Sequence, residues 1–146
     1  MIVTHSAVET RELGIRLAEK LKAGDVILLE GELGAGKSEL ARGVTRGLGV
    51  RETVTSPSFT ILNVYESGRI PLYHFDWYRL ESEEELYELG MDESLGGDGV
   101  ALVEGPGRCP DAVPEDSLRI RITAEGENTR RIEAEPSGSF RTIPLE

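Results

Sequence analysis

A single cysteine, Cys109, in 146 residues leaves no partner for an internal disulfide and no thiolate set for a Cys-based zinc site. It sits in the Pro/Gly-rich stretch 105–110 with no base in view, so no nucleophilic role is expected of it. Positive charge is also scarce. Sixteen Lys and Arg stand against 27 Asp and Glu, for a net charge of −11. This argues against a broad nucleic-acid interface, which needs Lys and Arg to displace the counterions of the phosphate backbone. No apolar run approaches the length of a membrane span. No basic segment leads into an apolar one at the N-terminus, so no secretory leader and a cytoplasmic location are expected. There is no internal repeat or low-complexity tract. The length fits one domain over 1–146, with a core that needs no disulfide.

What is present is concentrated in residues 31–38: Gly31, Glu32, Leu33, Gly34, Ala35, Gly36, Lys37 and Ser38. This is a full G-x-x-x-x-G-K-[ST] phosphate-binding loop. Its glycines let backbone N–H groups turn inward onto phosphate oxygens, its lysine reaches the β- and γ-phosphates, and its hydroxyl can hold Mg2+. The context supports the motif. Residues 25–30 form an apolar run suited to a buried parallel strand, and Glu39 onward continues as a helix with Leu40 and Val44 at i, i+4. The expected nucleotide contacts run from Gly31 through Glu39.

Elsewhere, Ser6 and Glu9 form a capping box that opens a helix with Leu13, Leu17 and Leu21 on one face, closed by Gly24. The helix after the loop is expected over about 37–47. Residues 59–66 and 70–76 read as a hairpin around Ser67-Gly68. A second capping box, Ser82 to Glu85, opens a helix through Leu89 that stops at Gly90. Val100 to Val103 is a second buried-strand pattern. Residues 118–123 and 130–135 read as a C-terminal β-hairpin, with a short edge over 140–143. The charged segment 125–135 is expected on a solvated hairpin.

Hydrolysis requires more than a phosphate cradle. Mg2+ commonly takes a second contact from an acid at the end of a neighbouring apolar strand. Glu104 ends Val-Ala-Leu-Val and is favoured by spacing as the metal-side carboxylate. Asp76, at the end of a less regular run, is then free to orient the attacking water. His74 shares a strand face with Asp76, either to assist the site or as a structural histidine. Arg42 and Arg79 are candidates for phosphate contact or surface ion pairs. The aromatics Tyr73, Phe75, Trp77 and Tyr78 fit a base stack or the core.

The loop, followed by 55–60 (Thr55, Ser56, Pro57, Ser58, Phe59, Thr60), 72–80, 85–90 and Leu102-Val103-Glu104, closely resembles the bacterial TsaE (YjeE) family over residues 6–135. The resemblance implies an α/β, three-layer αβα P-loop NTPase fold with a mainly parallel central sheet. It implies ATP/ADP binding with Mg2+, and a Mg-dependent ATPase, slow alone, required for threonylcarbamoyladenosine modification of tRNA with TsaB and TsaD. It places catalytic roles on Lys37 and Asp76, metal contacts on Ser38 and Glu104, a switch-like loop on 55–60, and nucleotide contacts on Thr10 and Arg130. Three departures stand out. Gly105 replaces the usual Trp after the acid, Ser replaces Thr at 38 and 58, and Trp77 stands where Leu is common.

With what the resemblance implies, three functions remain in play. One is an ATPase acting with partner proteins that contact the tRNA, without tight tRNA binding of its own. Another is a nucleotide-gated interaction module whose ATP binding, not turnover, controls docking. A small-molecule kinase fits least, because no Arg-rich lid is present. No Asn-Lys-x-Asp segment supports a GTPase.

Overall fold

Ser6 opens the first helix through its hydroxyl, which accepts from the Glu9 amide at 3.1 Å, while Glu9 Oε1 reaches back to the His5 amide at 3.3 Å. The computed structural model describes residues 1–32, 34–52, 61–88, 95 and 97–145. In chain order these carry β1 (Ile2–Thr4), α1 (Ala7–Glu19), β2 (Val26–Glu30), α2 (Lys37–Gly47), β3 (Leu62–Tyr65), β4 (Leu72–Asp76), α3 (Glu84–Glu88), β5 (Val100–Glu104), β6 (Ser117–Ala124) and β7 (Arg130–Ser137). Short 3-10 turns at Trp77–Arg79, Pro106–Arg108 and Pro110–Ala112 complete the description.

The strands form one seven-stranded sheet in the order β1-β7-β6-β2-β5-β4-β3. The expected mainly parallel sheet is corrected to a mixed one. Pairings β2–β5, β2–β6 and β4–β5 are parallel, and β1–β7, β6–β7 and β3–β4 are antiparallel. The reason lies in the connections. A parallel step needs a crossover of a dozen or more residues, whereas the short turns of the β3–β4 and β6–β7 hairpins force antiparallel pairing.

β2 is buried along Val26 to Leu29, as an apolar run should be. Ile27 and Leu29 face α1 and α2, together with Leu13, Leu17, Leu40 and Val44. Val26 and Leu28 face the opposite side, where Phe75, Trp77, Leu80 and Leu86 pack. α1 and α2 cross at close range. A Cβ on Gly43 would lie 2.0 Å from the Arg11 carbonyl oxygen, and one on Gly14 2.5 Å from that of Leu40.

Three local expectations change. α1 ends at Glu19 with Lys20 as cap, and Gly24 instead sits at φ 93° in the turn into β2. The sheet edge expected over 140–143 is taken by β1, which registers Ile2 opposite Ile132. Residues 138–145 run as irregular chain. Ile143 and Leu145 are tucked into the core, and Arg141 is tied to Asp25 at 2.7 and 2.9 Å. The third helix spans Glu84–Glu88; Leu89 and Gly90 lie outside the described residues.

Candidate functional site

The carboxyl ends of β2, β4 and β5 lie side by side, the usual place for a ligand crevice in an open α/β sheet. β2 delivers the chain to Gly31, and the loop turns with Gly34 at φ 83° and Gly36 at φ 104°, a region closed to most side chains. Gly36 is also the N-cap of α2, which has no side-chain cap. Leu40 N–H bonds back to the Gly36 carbonyl at 3.2 Å. The amides of Lys37, Ser38 and Glu39 precede it and have no carbonyl to meet within the helix. An uncapped N-terminus with its dipole aimed outward is a ready anion site.

Lys37 Nζ donates to the Gly31 carbonyl and, at 3.0 Å, to the Tyr78 hydroxyl; it also lies 4.8 Å from the Tyr78 ring centroid. Ser38 is exposed on the same helical turn. The Glu39 carboxylate is occupied by Arg11 at 2.8 Å and Arg42 at 2.5 Å. Burial pushes its pKa up, but the hydrogen bond and charge of Arg11, then those of Arg42, outweigh that and hold it below the usual range. Any nucleotide contact from Glu39 would therefore fall to its backbone. Glu32 is exposed, and its carbonyl accepts from the buried Ala35 at 3.0 Å. Leu33 and all of 55–60 lie outside the described residues.

Parallel register sets Asp76 directly opposite Glu104 and His74 opposite Leu102. Strand alternation puts His74, Asp76 and Glu104 on the face that carries Leu72 and Leu102, the face of α2. His74 Nε2 lies 2.7 Å from Glu104 Oε2. Asp76 Oδ1 accepts from the Tyr78 amide at 3.0 Å and so caps the 3-10 turn Trp77–Arg79. The Arg79 side chain lies outside the described set.

Thr10 is buried, its hydroxyl 2.7 Å from that of Thr4 and 3.2 Å from the Ser6 carbonyl. Arg130, at the start of β7, donates to the Gly126 and Thr129 carbonyls at 2.9 Å and reaches the Gly34 carbonyl at 3.4 Å. Thr10, Gly36, Glu39, Asn128 and Arg130 line one hollow of about 80 Å³. A larger cleft of about 370 Å³ runs from Gly31 and Ala35 to Arg121 and Ala124. The fold therefore gathers Thr10 and Arg130, 120 residues apart in sequence, against the same loop.

This loop-centred arrangement has close counterparts. The family profile described as "Threonylcarbamoyl adenosine biosynthesis protein TsaE" matches residues 4–132. The chain belongs to the TsaE family. It is 44% identical over 124 residues to the tRNA threonylcarbamoyladenosine biosynthesis protein TsaE of Bacillus subtilis, covering 85% of this chain and 77% of that one. It is 51% identical over 116 residues to the protein of the same name from Streptomyces coelicolor, covering 77% of each. The crystal structure of Bacillus subtilis YdiB superposes with a TM-score of 0.79 at 37% identity, over 93% of this chain and 83% of that one.

Within this TsaE-family chain two contacts escaped the sequence. Of the aromatics that fit a base stack or the core, Tyr78 does neither: it is 52% exposed and covers Lys37, while Phe75 and Trp77 are buried edge to face. His74 could be paired with Glu104 only by knowing that β4 and β5 are parallel neighbours. Gly105 now has a structural account. Its φ is 74°, and a Cβ there would lie 3.0 Å from the Tyr78 ring, so the missing side chain makes room for Tyr78. Burial, then Glu83, pushes the Cys109 thiol up, which suits a thiol without a nucleophilic role.

Proposed function

We propose that this TsaE-family chain is a P-loop ATPase of the cytoplasm that serves threonylcarbamoyladenosine modification of tRNA together with TsaB and TsaD. The observation that carries the reading is the convergence of an uncapped α2 N-terminus, Lys37 and two strand-end carboxylates at the carboxyl ends of β2, β4 and β5. Family membership and the names of the relatives supply the pathway.

ATP and ADP would be held by the loop, their phosphates on the amides of 37–39 and on Lys37, with Thr10 and Arg130 bordering the nucleotide. The donor set fits Mg2+. An exposed hydroxyl on Ser38 and a carboxylate on Glu104 are hard oxygens, too few for a closed protein cage, as suits an ion that keeps water and phosphate in its shell. Bound there, the ion would neutralise charge on the β- and γ-phosphates. Lys37 would leave Tyr78 to meet those phosphates, and Asp76 would orient the attacking water.

Phosphate release from ATP and GTP, measured with and without TsaB–TsaD, tests this reading. Asp76→Ala should keep ATP binding and lose turnover by ~10²-fold or more, the scale of a general-base contribution. Unchanged turnover refutes the role of Asp76. One observation favours the gating alternative. The Asp76 carboxylate is engaged in capping the turn that presents Tyr78 to Lys37, so nucleotide binding at Lys37 is wired to Asp76 without chemistry. On that reading a non-hydrolysable ATP analogue supports repeated rounds of tRNA modification; on the ATPase reading it does not.

A further inference from the structure

His74 makes an unusual use of a buried ring. It is 4% exposed, and its Nδ1 is buried with no hydrogen-bond partner among the described residues. Its one polar side-chain contact among the described residues is Nε2 to Glu104 Oε2 at 2.7 Å. A side chain kept only to fill the core would pay no such desolvation cost; leucine would fill the volume without an orphaned nitrogen. Glu104, for its part, has no other hydrogen-bonding side chain among the described residues. The residue after it, Gly105, offers no side chain to restrain it. The contact is diagonal along one sheet face, from the His74–Leu102 rung to the Asp76–Glu104 rung, so the β4–β5 register sets it.

We infer that His74 is a positioning residue for Glu104 as a Mg2+ ligand. Donation from Nε2–H to Oε2 holds the carboxylate in one rotamer and leaves Oε1 and the second lone pair of Oε2 for the cation. This is the outer-shell arrangement that raises the affinity of carboxylate sites. The inference rests on the reading of Glu104 as the metal-side acid.

The test is a Mg2+ titration of fluorescent ADP binding to the full chain. It compares wild type, His74→Leu, His74→Gln, Glu104→Gln and the double variant His74→Leu/Glu104→Gln, each checked by thermal melting. His74→Leu should raise the Mg2+ concentration at half-saturation by ~10- to 100-fold. ADP affinity in EDTA should stay within about twofold, because without the metal His74 has no described contact with the loop through which to act. His74→Gln, whose amide can donate to the same oxygen, should recover most of the loss. In the Glu104→Gln background, His74→Leu should add nothing, because the positioned group is gone. A His74→Leu value within twofold of wild type, while Glu104→Gln is impaired, overturns the inference. An equal shift in both backgrounds overturns it as well. If Glu104→Gln leaves the Mg2+ dependence intact, or wild type has none, the metal-side reading of Glu104 fails first and takes this inference with it.

Discussion

Lys37 has a single charged nitrogen and, in this structure, two neighbours that satisfy it: the Gly31 carbonyl and the Tyr78 hydroxyl. A phosphate must compete with both. Tyr78 can stand there because Gly105 has no Cβ to push against its ring. Tyr78→Phe keeps the ring and removes only the oxygen. It should therefore tighten ADP and ATP binding by up to about 10-fold, the equivalent of one hydrogen bond worth ~1.5 kcal/mol. Equilibrium titration with a fluorescent nucleotide measures it. A weaker Tyr78→Phe complex would mean that the hydroxyl serves the nucleotide instead of blocking it.

The α1–α2 pair is the element on which the loop depends, because α2 starts at Lys37 and its position fixes the amides of 37–39 that the proposed function sets against the phosphates. Gly43 is at the crossing, and an added Cβ would meet the Arg11 carbonyl, which is backbone and cannot swing away. Gly43→Ala should cost about 1–3 kcal/mol, the range for forcing a methyl into a packed contact. A thermal melt unchanged from wild type would show that the helices part without penalty. The same pair is pinned at its rim by Glu39 between Arg11 and Arg42. The Glu39 pKa is lowered in the folded chain, so its contribution is fully present above the unfolded-state value, about 4.3, and is lost as pH falls through the folded value. Urea denaturation of wild type and Glu39→Gln should show a stability gap that is steady from about pH 6 to 8 and closes below about pH 4. A gap that widens in acid would contradict the ion-pair account.

For the whole molecule, the net charge of −11 bears on its partners. The arginines with described side-chain contacts are largely spent on local acids: Arg119 and Arg121 on Glu30, Arg131 on Glu125, and Arg141 on Asp25. That net negative charge works against displacing counterions from RNA. A gel shift with tRNA and this chain alone should show no tight complex, and any retardation should be lost between about 50 and 200 mM salt. Tight binding that survives such salt would move tRNA from the partners to this chain.

The legible parts of the molecule were local. The Ser6–Glu9 box, the helix from Lys37 to Gly47, the apolar β2 and the glycines of the loop follow from contacts within a few residues, where chain adjacency brings the groups together. Family membership was legible for the same reason, since its motifs are short strings in order. The sheet edge was not. The choice between β1 and 140–143 as the strand beside β7 depends on competing long-range pairings that no local pattern ranks. By itself, then, the sequence determined a glycine-rich loop ending in Lys37 and Ser38, its helix and two strand-end acids. Only the tertiary structure decided that β4 lies parallel beside β5, and so that His74 meets Glu104. It alone brought Tyr78 onto Lys37 and Arg130 onto the loop, because hydrogen bonds between residues 30 to 96 positions apart are set by strand register and helix packing.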